Sequence, residues 1–184
     1  MMNQTSSSRV LLVVDVQRRV VANAWQRDAV VATIASLVDA ARPTVPVVWV
    51  RHSSENMPMG SDDWQIVDEL APAPGEPIVE KQYGDAFEAT DLEAVLTKLG
   101  AHEVIVCGAQ TDACVISTLY GGFVRGYDVT LISDAHTTDD WSAYGMPTPN
   151  LVIETVNSIW HFRTAPGRVA KVMDAQAARE YFAA

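Results

Sequence analysis

Residues 104–115 read Val-Ile-Val-Cys-Gly-Ala-Gln-Thr-Asp-Ala-Cys-Val, and the fold is decided by how this stretch is read. It opens with an apolar run of strand type. Gly108 breaks the run, and Thr111 or Asp112 offers a cap for a new helix. Cys114 falls in the first turn of that helix. A strand that feeds a helix in this way puts the connecting loop at the carboxyl edge of a sheet, where open α/β folds bind ligands. A helix start presents unpaired N–H groups and a partial positive charge. A thiol placed there is expected to ionise below its usual value and to act as a nucleophile. The competing reading is a cysteine packed as a small hydrophobe, as free cysteines commonly are. The rest of the chain decides between them.

Outward from this stretch, strands and helices alternate. Residues 10–14 form a continuous apolar, β-branched run, as in a strand buried on both faces, and the run ends at Asp15. Apolar residues then recur at helical spacing from 17 to 41, with a break expected at 23–28, until Pro43 stops them. Residues 45–50 read as a second strand, 51–63 as a long polar loop and 64–70 as a short helical piece. A third strand at 78–80 ends on Lys81. Thr90 caps a helix over 91–99, closed by Gly100. After the central strand, the spacing predicts a helix to about 125, a fifth strand at 128–132 and a helix over 151–160. A sixth strand follows at 168–173, and Asp174 caps a last helix. This order predicts a three-layer αβα doubly wound sandwich with a six-stranded parallel sheet. Residues 9–184 are expected to form one domain, with 1–8 a loose, Ser-rich tail.

The formal net charge of −10, with no basic run, argues against a nucleic-acid surface. No apolar stretch is long enough to cross a bilayer, and the first residues lack the layout of a signal peptide. Cys107 and Cys114 are the only cysteines, and their spacing is neither Cys-x-x-Cys nor a disulfide framework. A cytoplasmic, reduced protein is the expectation.

In a doubly wound sheet the ends of the first, third and fourth strands share one edge. Asp15, Lys81 and the loop before Cys114 therefore converge on one crevice. Each has a plainer reading, Asp15 as a helix cap and Lys81 as a solvated charge. Together they make a workable machine. Asp15 accepts the thiol proton, and Lys81 holds both anions and depresses both pKa values. His52, opening the loop after the second strand, is the alternative base. Gln17, His52 and Trp141 are the candidates to touch substrate. His136, past the fifth strand, reads as a solvated loop residue.

With these residues in place the chain resembles the isochorismatase-like cysteine hydrolases, which include nicotinamidases, N-carbamoylsarcosine amidohydrolases and ureidoacrylate hydrolases. The resemblance is carried by Leu-Leu-Val-Val-Asp-Val-Gln at 11–17 and by the segment 80–92 around Lys81. Gly-Ala-Gln-Thr-Asp-Ala-Cys-Val at 108–115 and Ser-Asp-Ala at 133–135 complete it. It implies a Cys114–Asp15–Lys81 triad that hydrolyses a small carboxamide, ureido or lactam C–N bond through a thioester. It also implies a cis Ala109–Gln110 bond, with the backbone N–H groups of Gln110 and Cys114 forming an oxyanion hole. Nicotinamidases of this family carry an Asp-x-His metal motif after the second strand. Here the region reads Trp-Val-Arg-His-Ser-Ser, so no metal and no other cofactor is expected. The family's habit of assembly implies a homo-oligomer, a dimer or larger. Three other functions compete: a vinyl ether hydrolase of isochorismatase type, a non-catalytic binding protein on the same fold, and a redox sensor built on the two cysteines.

Overall fold

The apolar run that ends at Asp15 forms β1, Arg9–Val14, at the centre of the sheet. Leu11 and Val13 pack into a core on one face, and Val10, Leu12 and Val14 into a core on the other. This period-two division is why both parities of the run are apolar. The computed structural model describes residues 9–184, so the expected tail at 1–8 lies outside the described residues. β2 (Val47–His52), β3 (Ile78–Lys81), β4 (Glu103–Ala109) and β5 (Asp128–Thr137) follow. They are joined by α1 (Arg27–Ala41), α2 (Leu92–Lys98) and α3 (Ile116–Val124). The chain closes with α4 (Pro149–His161), β6 (Thr164–Ala165), β7 (Arg168–Met173) and α5 (Ala175–Ala183). Residues of α1 and α5 belong to one core, and those of α2, α3 and α4 to the other. The result is the expected three-layer sandwich.

The strand order is β3-β2-β1-β4-β5-β7-β6. The sheet thus has seven strands, not six. The addition is the two-residue β6, which folds back antiparallel on β7 and is too short to leave a period in the sequence. All other pairings are parallel. From β1 the chain builds outward through β2 and β3, then returns to lay β4 on the other side. The switch in direction falls between β1 and β4, which is where an open α/β sheet forms its crevice. Val14 pairs with Gly108 there. A Cβ on Gly108 would lie 2.0 Å from the Val14 carbonyl oxygen, and Gly108 has φ +125°, so only glycine fits.

Three local expectations fail for one reason: long-range partners take the groups that a local helix would use. Residues 17–26 form turns instead of helix, because the Arg18 and Arg19 N–H groups donate to the carbonyls of Gln65 and Asp63. Residues 64–70 are likewise turns, and they bury Trp64, Val67 and Leu70. The segment Thr111–Val115 is a π-helical turn leading into α3, with no side-chain cap. The Thr111 and Asp112 side chains are drawn instead to β5 and the residue after it, as described below. The expected cap at Asp174 is present, its Oδ1 accepting the Ala177 N–H at 2.8 Å.

Candidate active site

Asp15 leaves β1 with φ 51°, in the left-handed region where a non-glycine residue is uncommon. Its N–H is held by the Val50 carbonyl at 3.0 Å. Lys81 ends β3 opposite His52 of β2 in the register. Its stem runs through the protein, and Nζ lies 2.6 Å from Asp15 Oδ2 and 3.1 Å from Cys114 Sγ. The ammonium also donates to the Tyr83 carbonyl at 3.0 Å. Both side chains of the Lys81–Asp15 pair are fully shielded from solvent, while Cys114 is half-buried. The three groups from distant parts of the sequence therefore meet at one point. The Ala109–Gln110 peptide bond beside them is cis.

The electrostatics differ from the expected low-pKa thiol. Burial pushes the Cys114 thiol up to about 12, and the Asp15 carboxylate adds to the rise, against the opposing pull of Lys81. Asp15 is itself raised, first by burial, with Lys81 pulling it down. Among the described residues no hydrogen-bonding donor besides this ion pair and the thiol reaches its oxygens. The reason is charge balance. One ammonium neutralises one anion. A free thiolate beside Asp15 would leave a second, uncompensated negative charge in a poorly solvated place. Moving the proton from Cys114 to Asp15 keeps the cluster neutral. The arrangement thus stores the proton on sulfur and offers a carboxylate to receive it.

His52 lies at the same edge, with Nδ1 3.4 Å from Lys81 Nζ. Burial first, and Lys81 second, lower its pKa. Donor atoms of Asp15, His52 and Cys114 lie within 4.8 Å of one another, a spacing that a metal could use. Lys81 Nζ already sits among these three residues and supplies the positive charge that a cation would bring there.

The cluster opens into a cavity of about 260 Å³ lined by Asp15, Arg19, Val20, His52, Ser54, Met57, Gln110, Ala113 and Cys114. Gln17 does not line it. Its amide is fully buried, donating to the His52 and Trp64 carbonyls at 2.9 and 2.7 Å and accepting the His52 N–H at 2.8 Å. It fixes His52 from behind. Trp141 is half exposed, packs on Tyr144 with ring centroids 5.7 Å apart, and is not part of the lining. His136 is not solvated as expected but buried. Its Nδ1 is 2.9 Å from Thr111 Oγ1, and Nε2 is 3.0 Å from Asn157 Oδ1. Asn157 in turn donates to the Ser133 carbonyl at 3.1 Å. Burial lowers the pKa of His136. The Thr138 hydroxyl donates to Asp112 at 2.6 Å. The loop that carries Cys114 is therefore tied to β5 and to Thr138 just beyond it. The pairing of β4 with β5 shifts between Val106 and Gly108, so that Gly108 faces His136 and the strand runs on past the Ser-Asp-Ala segment. Nothing periodic in the sequence signals that shift.

A sheet-edge cysteine with a carboxylate and a buried lysine, at the switch point of a doubly wound sandwich, defines a class: hydrolase-like α/β proteins with a cysteine site. Comparison with known proteins gives the family. Residues 9–145 match the isochorismatase domain model, and the chain belongs to that family. It is 32% identical over 166 residues to streptothricin hydrolase of Streptomyces noursei, covering 85% of this chain and 63% of that protein. It is 34% identical over 112 residues to the ureidoacrylate amidohydrolase RutB of Pantoea ananatis, covering 59% of this chain and 44% of that one. The chain thus spans less than two thirds of the length of these relatives. Among solved structures, a cysteine hydrolase from Pseudomonas syringae superposes with a TM-score of 0.87 at 22% identity, covering 97% of this chain and 94% of the other. An isochorismatase from Pseudomonas putida gives a TM-score of 0.83 at 27% identity, covering 94% and 90%.

Proposed function

We propose that this protein hydrolyses the C–N bond of a small carboxamide, ureide or lactam by covalent catalysis at Cys114. The observation that carries the reading is the Lys81 ammonium placed between the Asp15 carboxylate and the Cys114 sulfur. As Sγ attacks the carbonyl carbon, its proton passes to Asp15, so the cluster never holds an unbalanced anion. The developing oxygen faces the N–H groups of Gln110 and Cys114. Asp15 then returns its proton to the nitrogen, the C–N bond breaks, and the amine leaves a thioester on Cys114. Water adds to the thioester while Asp15 accepts its proton, and collapse releases the acid and restores the thiol. The name of the ureidoacrylate amidohydrolase relative supports a C–N substrate.

The test is a panel of small amides, ureides and lactams assayed for ammonia or amine release. A substrate from the panel should be turned over by the native protein and not by Cys114→Ala. Brief acid quenching should trap Cys114 with the acyl mass added. Turnover that persists in Cys114→Ala would overturn the thioester route. It would favour direct attack by water on the C–N substrate, with Asp15 exchanging the proton.

A further inference from the structure

The two halves of the reaction make different demands on the cavity wall. Until the C–N bond breaks, the leaving nitrogen is tethered to the carbonyl carbon. The water that replaces it has no tether, so its approach depends on hydrogen bonds from the protein. Asp15, which takes its proton, is one partner. Lys81 is not free to be the second. An ammonium has three protons, and those of Lys81 already go to Asp15 Oδ2, Cys114 Sγ and the Tyr83 carbonyl. Gln110 directs its side-chain amide to the Val20 carbonyl at 3.0 Å, and Arg19 turns to Asp63 at 3.2 Å. His52 is different. Its Nδ1 has only the distant Lys81 contact at 3.4 Å, and among the described residues nothing hydrogen-bonds to Nε2. Burial and Lys81 hold the ring below its ordinary 6.5, so it is neutral at pH 7. One of its nitrogens lies within 4.8 Å of both an Asp15 oxygen and Cys114 Sγ. A single oxygen atom fits between imidazole and carboxylate with a hydrogen bond to each, close to the sulfur. The backbone keeps the ring in that place. The last rung between β1 and β2 is Val14–Val50, and beyond it the buried Gln17 amide stands in for the missing strand, bonded to both the N–H and the carbonyl of His52.

We propose that His52 is a catalytic residue of the second half-reaction: its ring nitrogen and the Asp15 carboxylate together hold the water that hydrolyses the thioester on Cys114. The role rests on the thioester route. A neutral imidazole orients water in either tautomer, as donor to the oxygen or as acceptor of its second hydrogen. Asp15 removes the other proton as the C–O bond forms, and returns it to sulfur as the C–S bond breaks.

The test uses p-nitrophenyl acetate, which acetylates a reactive thiol and releases a coloured phenolate that needs no proton to leave. The native protein should release p-nitrophenolate steadily, with little acetyl group found on Cys114 by peptide mass spectrometry. His52→Ala should give a burst of about one equivalent and then a slow steady rate, with the acetyl group accumulated on Cys114. The ratio of deacylation to acylation rate constants should fall at least about tenfold. The burst itself reports that the variant's site is intact. His52→Gln, which keeps a hydrogen-bonding group at that place, should recover part of the loss. Hydroxylamine, a stronger nucleophile than water, should discharge the acetyl group at similar rates in the native protein and in His52→Ala. An unchanged ratio in His52→Ala overturns the proposal while leaving the thioester route standing, and so does a loss confined to acylation. A native Cys114 that takes up no acetyl group overturns the thioester route, and the role of His52 with it.

Discussion

At the scale of the residue, the question is where one proton resides. The helix start and Lys81 both favour a thiolate, and the sequence shows both. Burial and the Asp15 carboxylate oppose it, and they prevail, leaving the thiol at about 12. A carboxylate that raises a thiol pKa and also receives its proton makes a distinctive prediction. Asp15→Asn removes the repulsion and frees Lys81 to stabilise the anion. The pH midpoint for iodoacetamide labelling of Cys114 should therefore fall below that of the native protein, while amide turnover drops by at least about a hundredfold through loss of the acid–base group. Lys81→Met should move the midpoint the other way. A midpoint that stays put in Asp15→Asn would show that the carboxylate does not sense the thiol. That the three residues meet was legible because Asp15 and Lys81 close two strands and Cys114 opens the helix after a third, all at one sheet edge. Their balance was not, since it depends on how far water is excluded and on the one cation being shared.

At the scale of the element, the loop between β4 and α3 is held by partners that come from later in the chain. Its start is fixed by glycine at 108, and its turn is tied through Thr111 to His136 and Asn157, and through Asp112 to Thr138. Since Asn157 Oδ1 accepts from Nε2, Nδ1 of the neutral ring accepts the Thr111 hydroxyl proton. Thr111→Val keeps the shape and removes that donor, leaving a buried ring nitrogen without its hydrogen bond. Urea unfolding should show a loss of about 1–3 kcal/mol. Steady-state kinetics should show kcat reduced by more than KM is raised, because the loop carries the proposed nucleophile and N–H donors while Gln110, Ala113 and Cys114 form only part of the cavity wall. Thr111→Ser should restore both. Equal stability and kcat in Thr111→Val would remove this network from the account. The strands themselves were legible from continuous β-branched runs, and the cis Ala109–Gln110 bond from the family resemblance of the loop. Thr111 and Asp112 were read as local helix caps, because a Thr-Asp pair before a helix is the sequence pattern of one. The competing partners on β5 and beyond it arise from a shift in strand pairing that no local pattern encodes.

At the scale of the whole molecule, the buried titratable groups set a window of stability. On the alkaline side, Cys107 and Cys114 both rise from an ordinary value of 9.0 to about 12, each chiefly through burial. Between these values the unfolded chain has released two protons that the folded chain still holds. Stability is then lost as pH rises, by about 1.4 kcal/mol per pH unit for each thiol once past its ordinary value. Tyr127 and Tyr181, also raised chiefly by burial, add to the loss above 10.0. On the acid side, His52 and His136 are lowered below 6.5, so the unfolded chain binds protons that the fold resists, and stability is lost as pH falls below that value. Asp15 works in the opposite sense. Its raised folded pKa makes a contribution that is present at low pH and is lost as pH rises from 3.8 through the folded value. Denaturant unfolding measured across pH should give a plateau between the histidine and cysteine limits, with a fall on each side. The alkaline limb separates the contributions. From pH 9 to 10, Cys107→Ala should flatten the slope by up to one proton although it also lowers overall stability by opening a small void, and Cys114→Ala should flatten it by a similar amount. Slopes that superimpose for all three proteins would mean that neither thiol is held protonated by the fold, and with that the picture of a proton stored on Cys114 for transfer to Asp15 would fall as well.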